Sequence, residues 1–247
     1  MGRNISENHL KAYKEGCFKQ LFSTIKEDPE LSFEVRLDNE VMVYYHKDKI
    51  LTTSFKSDKN PAVKILDSKY YAPTTGRKAP SVDMQDKKNW HVDMEWAFAQ
   101  SDIDIKDRIP RTRIDLVLVD TIPNEQGLND IYLAELKVGT VATEGTSGTI
   151  DHVEKTFKLI NTEKACQDFK EDVTNIINVK SELGIYTGTA KQFNLADKPK
   201  MMLILAYRGE EEHKRLLKDS TAAQEKAKEL GMDEIKVVMH NALIKLD

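Results

Sequence analysis

Apolar residues recur every three or four positions at Leu10, Tyr13, Cys17, Leu21 and Ile25, which predicts an amphipathic helix over residues 6–27, ended by Asp28-Pro29. The period then shortens. Residues 31–37, 41–46, 50–55 and 62–66 read as short strands separated by turn-like Asp38-Asn39-Glu40 and Lys47-Asp48-Lys49, so an antiparallel meander is expected. Residues 72–89, with Pro73, Gly76 and Pro80, read as a loop. From Trp90 to Phe98 the chain alternates strictly, with Trp90, Val92, Met94, Trp96 and Phe98 on one face and His91, Asp93 and Glu95 on the other. That period of two predicts a half-buried strand.

Two short apolar runs suited to interior strands follow, Arg113 to Val119 and Ile131 to Val138. A loop with Gly139, Gly145 and Gly148 leads into a helix marked by Ile150, Val153, Phe157 and Ile160, for which Thr149 is the expected N-cap. Helical spacing resumes beyond Asn161-Thr162 through Cys166, Phe169, Val173, Ile176 and Leu183. Residues 185–199 are loop-like, Met201 to Tyr207 is an apolar strand, Glu210 to Leu230 a charged amphipathic helix, and Ile235 to Met239 a last strand. There is no internal repeat. The order predicts an α/β fold: a mixed β-sheet flanked by helices over residues 87–247, preceded over residues 1–86 by a helix and an antiparallel β-meander that is separate from that core or integrated with it.

Composition narrows the function classes. With 37 basic against 41 acidic residues the net charge is −4, whereas a chain that coats nucleic acid by backbone charge alone is basic. Two cysteines, Cys17 and Cys166, are too few for a disulfide framework and favour a reducing, cytoplasmic setting. No stretch approaches the roughly 20 apolar residues of a membrane span, and the N-terminus lacks a signal peptide's apolar core, so no membrane partner is expected. Met1-Gly2-Arg3-Asn4-Ile5-Ser6 matches a loose acylation pattern, for which Ser6 as a helix cap is the plainer reading.

The chemistry concentrates on the two interior strands. An ionised group is costly there unless paired or metal-bound, yet Asp115 interrupts the first and Glu135 and Lys137 the second. Strand alternation puts Glu135 and Lys137 on one face, and Asp115 reaches them if the strands are neighbours. Two carboxylates and a lysine at one spot suit a divalent cation and an anionic substrate; the plain alternative is a solvated sheet face. Other chemistries lack support. Cysteines 149 positions apart and no His pair of ligand spacing argue against zinc. A Gly-x-Ser-x-Gly elbow and a Gly-x4-Gly-Lys-Ser/Thr phosphate loop are both missing.

At Asp93-Met94-Glu95, Ile114-Asp115, Ala134-Glu135-Leu136-Lys137 and Ser147-Gly148 followed by His152, the chain resembles the PD-(D/E)XK nuclease superfamily, in particular its uncharacterised bacterial members. Nineteen residues separate Asp115 from Glu135, an acceptable interval, and Ile114 stands where the motif has proline. The resemblance implies a restriction-endonuclease-like core. It implies a metal-dependent nuclease that cleaves DNA in preference to RNA, with Asp115, Glu135 and Lys137 catalytic. Mg²⁺, for which Mn²⁺ substitutes, would be held by Asp115, Glu135 and the backbone carbonyl of Leu136, with Glu95 a further ligand; such hard oxygen donors match magnesium.

Around that centre, Ser147, Gly148 and His152 are candidate phosphate or substrate contacts, with a flexible hinge and a structural histidine as the plain readings. Tyr44-Tyr45 offers rings for stacking on bases, although alternation assigns one of them to the core. A homo-oligomer is compatible with the sequence. The alternative function is a catalytically inactive nuclease-fold protein that binds nucleic acid or serves in assembly.

Overall fold

The computed structural model describes residues 2–45, 48–55, 61–65, 89–97, 113–139, 148–185 and 193–241. The chain is mixed α/β and divides into two compact units: Met1–Ala79 with Glu171–Gln192, and Pro80–Lys170 with Phe193–Asp247.

The first unit opens with α1 (Glu7–Lys14) and α2 (Lys19–Glu27). The single helix expected from the apolar spacing is thus two. The chain turns through residues 15–18, where Gly16 lies so close to Ala12 that a Cβ would come within 2.8 Å of the Ala12 Cα. Cys17, counted on the apolar stripe, is consequently exposed. Ser6 caps α1 by accepting from the His9 amide at 3.3 Å. Four strands follow, β1 (Leu31–Val35), β2 (Glu40–Tyr45), β3 (Asp48–Phe55) and β4 (Pro61–Ile65), in the antiparallel order β1-β2-β3-β4. Asp38 and Asn39 both adopt φ 59 between β1 and β2. That left-handed pair forms a tight turn whose twist matches the strands it joins.

Alternation buries Phe33, Val35, Val41 and Val43, and Tyr13, Phe18, Phe22, Phe33, Phe55 and His9 form a continuous ring cluster. Within it the His9 ring bonds the Asn39 carbonyl and Thr53 Oγ1, each at 3.1 Å, and burial lowers its pKa. Tyr44 is buried and Tyr45 exposed: the pairing of β2 with β3 shifts between Val43 and Tyr44, and both of these adjacent residues are buried. Glu34 is fully buried and held by Lys180 at 2.9 Å.

The second unit is built on a five-stranded sheet, β5 (Asn89–Ala97), β6 (Arg113–Asp120), β7 (Ile131–Val138), β8 (Lys200–Tyr207) and β9 (Lys236–Asn241), in that order. β5, β6 and β7 run antiparallel, and β7, β8 and β9 run parallel. Parallel neighbours need crossovers. Here α3 (Thr149–Ile160) and α4 (Glu163–Glu182) join β7 to β8, and α5 (Glu210–Glu229) joins β8 to β9. α4 supplies residues to both units, dividing after Lys170.

Residues 201–206 are apolar without alternation because both sides of β8 are covered. Met201, Leu203 and Leu205 pack with Val153 of α3 and with Leu216, Ala223 and Ala227 of α5. Met202 and Ile204 pack on the other face with Leu118, Tyr132 and Ala134.

β5 departs from the strict alternation in its sequence. Its pairing with β6 shifts between His91 and Asp93, so His91 is in register with Leu118 while Asp93 is in register with Val117. Trp90 pairs with Val119 and Trp96 with Ile114, which takes His91 out of phase with Asp93 and Glu95. A bulge of this kind adds one residue to one strand, so the face assignment changes along it. Among the described residues, no helix is long and apolar enough to cross a membrane.

Candidate active site

The antiparallel ladder between β6 and β7 has Leu116↔Ala134 as its last pair, whereas β7 runs on beside β8 through Val138↔Ala206. Beyond that last pair the β6-facing side of β7 has no ladder partner among the described residues, and a side chain takes over. Asp115 Oδ2 accepts the Leu136 amide N–H at 2.9 Å. An extended residue points its N–H and C=O toward the same neighbouring strand. The Leu136 carbonyl therefore opens on the side where Asp115 stands.

Glu135 lies at the centre and is 5% exposed. Its Oε1 accepts from Lys137 Nζ at 2.6 Å, as expected for residues two apart on one strand, and its Oε2 lies 3.0 Å from His152 Nδ1 on α3. Asp115 is in hydrogen-bonding and Coulombic contact with the same carboxyl group. Glu135, Lys137, Asp115 and His152 thus meet at one point, between the sheet and the first turn of α3. The β5 register flanks Glu95 with the pairs Met94↔Leu116 and Trp96↔Ile114, so its backbone stands opposite Asp115. The Glu95 side chain lies outside the described residues, as does Ser147.

The electrostatics follow from burial. Desolvation, reinforced by the Asp115 charge and opposed by Lys137, pushes Glu135 up to about 7. Desolvation and the Lys137 and Lys155 charges hold His152 down at about 4, with Asp151 opposing. The imidazole is therefore neutral near neutral pH. Its contact with Glu135 has a single proton to place: Nδ1–H donates to the ionised carboxylate, or the protonated carboxyl donates to Nδ1.

Among the described residues, no group of three or more His, Cys, Asp or Glu side chains is disposed to hold a metal ion. Two carboxyl groups are nonetheless in contact there, and Glu135 is pushed up first by its burial and then by the charge of Asp115. With water completing the shell, two carboxylates and a backbone carbonyl fit magnesium, which binds through one or two carboxylates and retains several waters.

The remaining sequence candidates have plainer places. Gly148, not Thr149, is the N-cap of α3, with extended backbone (φ −75, ψ 166), and Thr149 is the first helical residue. His152 is directed at Glu135, a partner that spacing along the sequence does not disclose. Beside His152 on α3, Lys155 pairs with Asp151 one turn back. An open depression of about 840 Å³ lies in the first unit, lined by Ser6, Asp38, Asn39, Glu40 and Phe55 among others. None of the candidate residues lines it. The site is assigned to Glu135 because buried ionisable groups converge there.

Compared with protein-family models, curated proteins and solved structures, the chain matches none.

Proposed function

We propose that the second unit is a restriction-endonuclease-like core and that the protein is a magnesium-dependent nuclease, with DNA as the substrate implied by the resemblance and a cytoplasmic setting implied by its cysteine usage. One observation carries the reading: Asp115, Glu135 and Lys137, which the PD-(D/E)XK pattern pairs across two strands, converge where the β6–β7 ladder ends. Asp115, Glu135 and the Leu136 carbonyl would hold the ion, and Glu95 stands at the register position from which a further carboxylate would come. When bound, the ion supplies a Lewis acid that polarises the phosphate and lowers the pKa of water.

The chain's own groups do the rest. Asp115 is held by the Leu136 amide, so its carboxylate is oriented before any ligand arrives. His152 holds Glu135 from the helix side. Lys137 keeps an ammonium beside the two acids, where it orients an attacking water and offsets charge that develops on the phosphorus. Burial around these groups strengthens each interaction by keeping the local dielectric low.

The second reading is a nuclease fold whose site serves as a scaffold or a nucleic-acid-binding surface. What favours it is that both Glu135 oxygens already have protein partners. The test is cleavage of DNA and RNA by the purified chain with Mg²⁺, with Mn²⁺ and with EDTA, alongside Lys137→Ala and Glu135→Gln. Metal-dependent cleavage lost in both variants supports the nuclease. A wild type that neither binds divalent ions nor cuts either polymer moves the assignment to the scaffold.

A further inference from the structure

Helix α3 begins beside the acidic centre without a side-chain cap. Its N-cap is Gly148, which has no side chain to offer, and among the described residues no side-chain hydrogen bond closes the terminus. The first amides of a helix have no intrahelical acceptor and carry the positive end of its dipole. The next residue adds an independent feature. Thr149 is 1% exposed, and its Oγ1 is buried with no hydrogen-bond partner among the described residues. A buried hydroxyl without a partner is costly and uncommon.

Its direction follows from helical spacing. Thr149, Val153 and Thr156, at 1%, 0% and 2% exposure, form the sheet-facing stripe of α3, and Val153 packs on β8. His152, on the same side, reaches Glu135. Thr149 stands three residues before His152, about 4.5 Å along the helix axis at roughly 1.5 Å per residue. Thr149 therefore stands about one turn before the histidine that contacts Glu135, at the helix end that attracts anions. The acidic side chain in that turn, Asp151, is paired with Lys155 and so opposes an anion less.

We infer that Thr149 Oγ1 and the first amides of α3 form a binding site for one phosphate group of a nucleic-acid strand, beside the proposed metal centre. The chemistry fits: a phosphate oxygen accepts from the hydroxyl and from successive N–H groups at a helix start. The inference deepens the nuclease reading and rests on it for the identity of the strand. The phosphate site itself does not need catalysis.

The test uses the ¹⁵N-labelled full chain in EDTA, titrated with methyl phosphate as a chain-end monoester and with dimethyl phosphate as an internal diester. The Gly148, Thr149, Ile150 and Asp151 amides should shift saturably. Thr149→Val, which is isosteric and loses only a buried hydroxyl, should keep the remaining spectrum and bind about tenfold more weakly. Thr149→Ser should restore binding. Stronger binding of the diester places an internal linkage at α3, and stronger binding of the monoester places a strand end there. No shift at these amides, or equal affinity in Thr149→Val, overturns the inference. Cleavage is measured separately on the same proteins. Thr149-dependent phosphate binding in a chain that cuts nothing keeps this site and removes the nuclease reading. Metal-dependent cleavage with no such binding does the reverse.

Discussion

Replacing Asp115 by Asn should stabilise the metal-free protein at high pH and abolish its stabilisation by magnesium. Burial first and the Asp115 charge second, opposed by Lys137, raise the Glu135 carboxyl group to about 7. Two unit charges about 4 Å apart repel by about 4 kcal/mol at an effective dielectric of about 20. Lys137, 2.6 Å from the Glu135 oxygen, and the partial exposure of Asp115 reduce the net repulsion to about 1–2 kcal/mol. The amide oxygen that Asp115→Asn introduces can still accept the Leu136 N–H, so the local fold survives the exchange.

The sign depends on pH. Glu135 has a folded pKa above its usual 4.5, so its contribution to stability is fully present below about 4.5 and is lost as pH rises through about 7. Relief of repulsion therefore appears at pH 8 and vanishes near pH 5. For a domain of this size about 1–2 kcal/mol corresponds to a rise of roughly 2–8 °C in Tm. Both tryptophans, Trp90 and Trp96, lie in β5, so intrinsic fluorescence melts report on the second unit. Mg²⁺ should raise the Tm of wild type by mass action and leave Asp115→Asn unmoved. Equal destabilisation of the variant at pH 5 and pH 8 would refute the idea that the two carboxylates compete for one positive charge.

Further outcomes follow from the same geometry. Lys137→Ala should lose most metal-dependent cleavage while retaining divalent-ion binding by calorimetry; equal cutting by variant and wild type would remove Lys137 from the mechanism. His152→Gln deletes a group whose depressed pKa stabilises the fold above about 6.5 and is lost as pH falls through about 4. Subtracting its urea-unfolding profile from wild type should leave a difference that grows with pH across that window, and a flat difference would show that His152 is not held neutral. Lys180→Met strands the fully buried Glu34 carboxylate and should cost about 3–5 kcal/mol by denaturant titration; Lys180→Met with Glu34→Leu should recover much of it, and an intact single variant would count against the pair. Nucleic-acid binding should weaken with rising salt and with EDTA, because a chain of net charge −4 must rely on local basic groups and divalent ions, and salt-independent binding would contradict this.

The elements and the facing of Glu135 and Lys137 are properties of the sequence itself. A period of two needs no partner strand to put residues 135 and 137 on one side, and short apolar runs bounded by turns define β6, β7 and β8 wherever they pack. The break at Asn161-Thr162 and the turn at Asp38-Asn39 are equally local. Tertiary structure decided where the groups meet. The bulge in β5 sets which of its residues face Asp115, and nothing in an alternating segment marks where an extra residue will be accommodated. The end of the β6–β7 ladder lets Asp115 take the Leu136 amide, and that end is a matter of register between strands.

His152 finds Glu135 only because α3 packs on the sheet, with Val153 against β8, and Lys180 finds Glu34 across 146 positions of chain. At the start of α3, Thr149 has the better intrinsic capping propensity, yet Gly148 takes the cap and Thr149 turns inward. Local periodicity encodes faces because it depends on backbone geometry over a few residues. Convergence depends on register and packing, which no stretch of sequence carries alone.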